Sequence, residues 1–385
     1  MIPFRRTDST RGRLTMSTPG NSDIERGAAS LSRARGPRRP GTESGFDRQP
    51  SGRRSSGDGG QALLEHWNEL PPPLFILAPP RSFTSVVCAM LGQHPQMYGL
   101  PETHLFGYKT LGARAQHAAR ASFPMADGLL RAVAQLYFGA QNEFTIRKAR
   151  RWLRLRSSLS TGFIFKALAD KAYPRILVEK SPGMANRLEV LNRVHRNFPG
   201  ARFLHLLRHP RGHGESVMKF MAERAKHGPI PPSHWLLRIA TYPSAQADAE
   251  GQTGDAVLDP QNAWYALNRN ICEFLKTVPR DRQMRVRGEE LLADPDEVLP
   301  EIAAWLGLRP DAEAVEEMKH PERSPFASLG PPGARYGNDA FFLQAPALRS
   351  SRPARHRLDG PLSWRSDGRG FSPAARRLAQ EFGYE

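Results

Sequence analysis

Aromatic and branched apolar residues are few in positions 1–60, which are rich in Arg, Ser, Gly and Pro. Ordering such a stretch would bury too little surface to offset the lost chain entropy, so it is predicted to be a disordered basic tail. A helix is expected from about Gln61 until the prolines at 71–73. The apolar run that follows stops at two prolines, and 74–85 (LFILAPPRSFTS) reads as a strand that delivers small hydroxyl residues into a turn. Val86, Val87, Met90 and Leu91 then form a helical stripe closed by Gly92 and Pro95. The same grammar returns later. Buried strands are predicted at 175–179 and 202–208, each followed by a helix, at 185–198 and 212–226. Further on come a helix at 264–277, a strand at 283–287 and helices at 296–306 and 372–382, the last opening on a capping Ser and a first-turn Pro.

Strands alternating with helices predict an α/β fold, a parallel sheet flanked by helices. One domain is expected over 61–385. Residues 103–170 are mostly helical in pattern and Arg-rich, as in ARRWLRLRSSL at 149–159, and read as a substrate-facing insert. The stretch 228–262, rich in Pro, Gly and Gln, reads as a lid-like loop. A second loop-like stretch, 320–372, is long enough to be functional or disordered. In open parallel sheets ligands sit at the carboxyl ends of strands, and Ser85, Lys180 and Arg208 all fall at such ends.

Composition changes this picture little. The chain has 385 residues and a net charge of +17, but the tail holds twelve Arg against six acids, so a third of the surplus lies outside the domain. The remainder favours anionic ligands through long-range steering. A non-enzymatic RNA-binding protein using the tail stays as an alternative, although no specific nucleic acid is expected. The two cysteines, Cys88 and Cys272, have no metal-ligand spacing, which points to a reduced, cytoplasmic compartment and to no metal. No apolar run approaches the ~18 residues of a membrane span.

The chemistry starts at the turn. A strand, a loop of hydroxyls and an Arg, and a helix behind them suit an anionic phosphate-type group, which the helix N-terminus attracts as well. PPRSFTS has no glycine-rich stretch followed by Lys and Ser or Thr, so the Walker pattern fails. That disfavours the alternative of an ATP-dependent kinase of related P-loop architecture.

The loop resembles the 5′-phosphosulfate loop of sulfotransferases that use PAPS, 3′-phosphoadenosine 5′-phosphosulfate. Three more elements follow in order. LHLLRHPRGHGES, with Arg208 and Ser216 eight positions apart, resembles the family's 3′-phosphate site. VEKSP at 178–182 is similar to its Lys-x-Pro element, and VRGEELLADPDEVLPEIAAWLGL at 286–308 resembles a late strand and helix of bacterial and Golgi-type members. The resemblance implies the P-loop-like sulfotransferase fold, PAPS as co-substrate and no metal. By the same resemblance Arg81, Ser82, Phe83, Thr84 and Ser85 cradle the phosphosulfate, and Arg208 and Ser216 hold the 3′-phosphate. Lys180, with Arg81, stabilises the leaving phosphate. In tyrosylprotein members a Glu base follows one helix and a short strand after the loop's Arg, and Glu102 stands 21 positions after Arg81. His104 is the rival base. Gly288 stands where many members carry Tyr. Arg335, Arg365 and Arg369 are candidates for a late 3′-phosphate contact, and the acceptor is left open.

Overall fold

The computed structural model describes residues 67, 69–121, 124–226, 258–348 and 356–385. The expected tail, nearly all of the helix from Gln61 and most of 228–262 lie outside the described residues.

Five strands form one sheet: β1 (Leu74–Leu77), β2 (Met97–Gly99), β3 (Ile176–Glu179), β4 (Arg202–Leu207) and β5 (Gln283–Arg287). All pairs are parallel and the order is β2-β3-β1-β4-β5. The chain leaves β1 toward one edge and later returns to its other side at β4, where Leu74 is paired with Arg202 and Leu77 with His205. That reversal of direction opens a crevice at the carboxyl end of the central strand.

The helices, in chain order, are α1 (Thr84–Leu91), α2 (Leu111–Ala118), α3 (Asp127–Phe138), α4 (Glu143–Arg154), α5 (Thr161–Ala172), α6 (Leu188–Asn197), α7 (Pro210–Ala225) and α8 (Pro260–Leu275). They continue with α9 (Gly288–Ala293), α10 (Pro295–Trp305), α11 (Ala312–Met318), α12 (Ala340–Gln344) and α13 (Pro373–Glu381). Local signals set their ends. Asn142 and Thr145 bond each other's backbone N–H across the start of α4, Ser160 caps α5 and Ser372 caps α13.

Two boundaries differ from the sequence reading. The stretch from 185 is not helical at once, because Pro182–Asn186 forms a 3₁₀ turn and Arg187 is extended before α6 begins. Helix α7 starts two residues earlier than expected, since Pro210 has the fixed φ that suits a first helical position. Within 320–372 the chain forms α12 among loops.

Strand alternation divides the core. Phe75, Leu77, Leu177 and Phe203 point to one face, against α3, α5, α6 and α8. Leu74, Ile76, Val178, Leu204 and Leu206 point to the other, against α1 and α10. A third cluster joins Trp264 of α8 to Leu358, Phe371 and Phe382 of the C-terminal segment. Phe75 is the hub of the first face: its ring centroid lies 5.5 Å from Phe106 and from Phe165, 5.9 Å from Phe198 and 5.8 Å from Phe203. Phe75→Ala is therefore expected to cost about 3–5 kcal/mol through lost burial and the cavity left behind, measurable by urea denaturation.

Candidate active site

Every strand end contributes to one crevice. After β1 the chain turns sharply, because Arg81 (φ 67°) and Phe83 (φ 62°) both adopt the left-handed conformation that glycine usually supplies. Such non-glycine backbone costs of order 1–3 kcal/mol each and collects at functional sites. Phe83 is the N-cap of α1 and gives it no side-chain cap. Ser82 is fully buried and its hydroxyl has no hydrogen-bond partner among the described residues.

The end of β3 carries a buried acid and a buried base. Glu179 is fully buried; its carboxylate accepts from Thr103 Oγ1 at 3.0 Å and from the backbone N–H of Lys180 at 3.0 Å and of Ser181 at 3.3 Å. Burial pushes this carboxyl upward, partly opposed by those bonds. Through Thr103, the turn after β2 is fastened to the end of β3. Ser181 Oγ adds a bond from His104 N at 2.8 Å, which helps hold His104 in a left-handed backbone (φ 48°).

These fastenings bring Glu102 to Lys180. The ammonium donates to Glu102 Oε1 at 2.7 Å and to Ser85 Oγ at 2.8 Å, with the Lys180 side chain 0 % and the Glu102 side chain 21 % exposed. Glu102 Oε2 lies 3.4 Å from His104 Nε2. Burial alone would raise the Glu102 carboxyl, but Lys180 and His104 outweigh it and hold it at about 2.

The two arginines meet beside this pair. Arg208, just past β4, donates from Nη1 to Arg81 O at 2.5 Å, and its guanidinium lies 4.2 Å from the centre of the Phe83 ring. Arg81 Nε donates to Ser216 Oγ at 3.3 Å. Ser216 thus belongs to the cluster from the second turn of α7, rather than from its start. Burial, then Arg208, lowers Arg81 to about 10, and burial lowers Arg208 to about 10 despite Glu289 and Glu215, so both are cations at neutral pH.

Gly288 has a local explanation. A Cβ there would lie 2.5 Å from the Phe83 ring and 3.1 Å from Leu207 O. The loop's Phe occupies the space that a side chain at 288 would need.

The three late arginines stand apart from this cluster. Arg365 pairs with Asp259 and Asp367, Arg369 with Asp367, and Arg335 is exposed. His356 is instead the late residue near Arg208: a Cβ on Gly212 would meet His356 Nε2 at 2.8 Å and Arg208 Nε at 3.5 Å.

Sequence reading also passed over the segment 337–341. Gly337 O accepts from Glu102 N at 2.7 Å. Asp339 N donates to Ser85 Oγ at 3.3 Å, and its carboxylate pairs with Arg81. Phe341 and Phe220 lie 5.1 and 5.4 Å from the Arg81 guanidinium. The one signal for this strap was its place in a long loop rich in Gly and aromatics. Among the described residues, no group of three or more His, Cys, Asp or Glu could hold a metal, and no helix is long and apolar enough to cross a membrane.

The signature of the sulfotransferase family matches residues 72–312, more than half of the chain and all of the sheet. The chain belongs to the sulfotransferase family. Comparison with curated proteins gives no match. Among solved structures, this sulfotransferase is similar to the sulfotransferase domain of the olefin synthase of Synechococcus PCC 7002. The two share 25 % identity and a TM-score of 0.59, over 82 % of this chain and 96 % of that one. It is also similar in fold to the sulfotransferase domain of the curacin biosynthetic pathway, at 22 % identity and a TM-score of 0.61, covering 82 % of this chain and 99 % of that one.

The electrostatics generate a test. A Glu102 carboxyl at about 2 when folded, against 4.5 ordinarily, stabilises the fold fully above pH 4.5, and this contribution fades as pH falls toward 2. Lys180→Met should cost about 3–5 kcal/mol at pH 7 by leaving Glu102 as a poorly compensated charge. Adding Glu102→Gln should recover part of that loss, and denaturant titration of the double-mutant cycle measures it.

Proposed function

We propose that this sulfotransferase moves a sulfuryl group from PAPS to a hydroxyl or amine acceptor by in-line displacement, with Glu102 as general base. The observation that carries the reading is the Lys180 ammonium shared between Ser85 of the loop and Glu102. It ties the donor-binding turn to the group that takes the acceptor's proton.

The residues fit the donor. A buried hydroxyl at Ser82 with no partner among the described residues and two adjoining guanidiniums, of which Arg208 depresses Arg81, are satisfied together by a phosphate-type dianion. Arg81, Ser82, Phe83, Thr84 and Ser85 would hold the phosphosulfate end, and Arg208 and Ser216 the 3′-phosphate. The donor supplies an activated sulfuryl group, and the chain's own residues do the rest.

An ammonium has three donors, and Lys180 spends two of them on Ser85 and Glu102. The third is left for the oxygen on which negative charge builds as the sulfuryl group departs, a stabilisation realised in the transition state. Glu102 is ionised at neutral pH, and lone pairs on its carboxylate remain for an acceptor N–H or O–H. Its low basicity is set by the Lys180 contact. As the ammonium's charge is drawn toward the leaving oxygen, Glu102 becomes the stronger base when the acceptor must lose its proton. His104 beside it orients the carboxylate.

Isothermal titration with 3′-phosphoadenosine 5′-phosphate tests the donor. The wild type should bind, and Arg208→Ala should weaken binding about 10- to 100-fold, the worth of a charged hydrogen bond. No binding by the wild type, or equal binding by the variant, overturns the reading. Turnover of radiolabelled PAPS against a panel of hydroxyl and amine acceptors tests the base. Glu102→Gln should keep nucleotide affinity and lose about 10² to 10⁴ in rate. Full activity in that variant would move the role to His104.

A further inference from the structure

The Arg-rich run ending α4 plays no part in the site described above. Its placement is specific. At 100° per residue, Phe144 and Leu155 fall within 20° of each other, three turns apart on one face of the helix line. They are 58 % and 72 % exposed, the two most exposed large apolar side chains among the described residues. Between them on the same face stand Arg147, Lys148, Arg151 and Arg154, all exposed. Lys148 lies 4.5 Å from the centre of the Phe144 ring, and the other three make no ion pair among the described residues. The helix has one acid, Glu143, and that side chain is turned to Gly333 N at 2.7 Å.

The opposite face is committed to the core. Thr145, Ile146 and Ala149 are buried, and Trp152 packs on Tyr137 with ring centroids 4.6 Å apart. The exposed face therefore cannot turn inward. Its arrangement is a line of four cations with an apolar side chain at each end. A line of cations with no acid between them along the helix face fits a uniformly negative surface better than the mixed surface of a protein partner. The apolar ends suit insertion just below lipid headgroups.

We infer that the exposed face of α4 docks this protein on anionic lipid membranes, with Phe144 and Leu155 inserted at the interface and Arg147, Lys148, Arg151 and Arg154 on the headgroups. Docking there brings the candidate site to the membrane. Glu143 and Arg150 both bond the backbone of Gly333, and Gly337, which accepts from Glu102 N, is four residues on. That separation is at most about 14 Å of extended chain.

The test is flotation of the full chain with vesicles of phosphatidylcholine containing about 30 % phosphatidylglycerol, or none, at roughly physiological salt. Binding is expected to the anionic vesicles and not to the neutral ones. The 1–60 tail is present in every protein compared, so the variants isolate the helix. Arg147→Glu with Arg151→Glu and Arg154→Glu should weaken binding at least ~10-fold, given the pull of each cation near such a surface. Phe144→Ser with Leu155→Ser should weaken it several-fold at unchanged charge. All five positions are exposed, and an unchanged thermal midpoint verifies that the variants fold. Equal flotation of wild type and both variants, equal binding to neutral vesicles, or no vesicle binding at all overturns the inference. Loss in the charge variant of binding to an acidic protein or RNA, with vesicle binding intact, overturns it as well.

Discussion

A buried ammonium is the constraint on which the site depends. Lys180 has no exposed side-chain surface, and a charge taken out of water must find partners of its own. It finds them in Ser85, at the start of α1, and Glu102, in the turn after β2, on either side of it in the crevice. Glu179, one residue earlier, makes no ion pair among the described residues. It serves instead as an acceptor for Thr103 and two backbone N–H groups, and so fixes the height at which Glu102 enters the crevice. Two adjacent residues at the end of one strand thus set both the charge and the position of the acid opposite.

A second layer of control comes from the strap at 337–341. Three backbones converge where it crosses the turn after β2: a Cβ on Gly128 would lie 2.0 Å from Glu102 O, and Gly337 approaches Gly128 with φ at 109°. No side chain fits between them, so the strap can seat its carbonyl on Glu102 N and reach Ser85 and Arg81 two residues later. The Arg208 side has its own support. Trp264 donates to Arg208 O at 2.9 Å, and Glu289 accepts from His209 N and from Tyr384 Oη, which anchors the last residues of the chain beside the cluster. Arg211 reinforces this by donating to four carbonyls of the C-terminal segment.

The charge pattern of the site follows. Arg81 and Lys180 pair with Asp339 and Glu102, and Glu289 and Glu215 act on Arg208, in a largely buried crevice where electrostatic interactions are stronger than at the surface. Its carboxylates hold these cations in place, Glu102 on Lys180 and Asp339 on Arg81.

How much of this was legible beforehand depends on distance along the chain. The strand-turn-helix units at 74–91 and 202–225, with Arg81, Ser82, Ser85, Lys180 and Arg208 at strand ends, are written in contiguous residues, because apolar runs, breakers and hydroxyl turns act over a few positions. The family resemblance rested on the same short stretches. What tertiary structure decided were pairings between residues far apart: Arg81 with Ser216 across 135 positions, Lys180 with Ser85 across 95, and Asp339 with Ser85 across 254. Nothing in the periodicity around Asp339 sets it apart from other loop acids, and the reason for Gly288 lies in the ring of Phe83. Sequence by itself determined the elements and the kind of chemistry at their ends, since both follow from local backbone and side-chain preference. The sheet order, the strap and the partners of each charge were decided only when folding brought distant turns to one crevice, where burial forces every charge to find a partner.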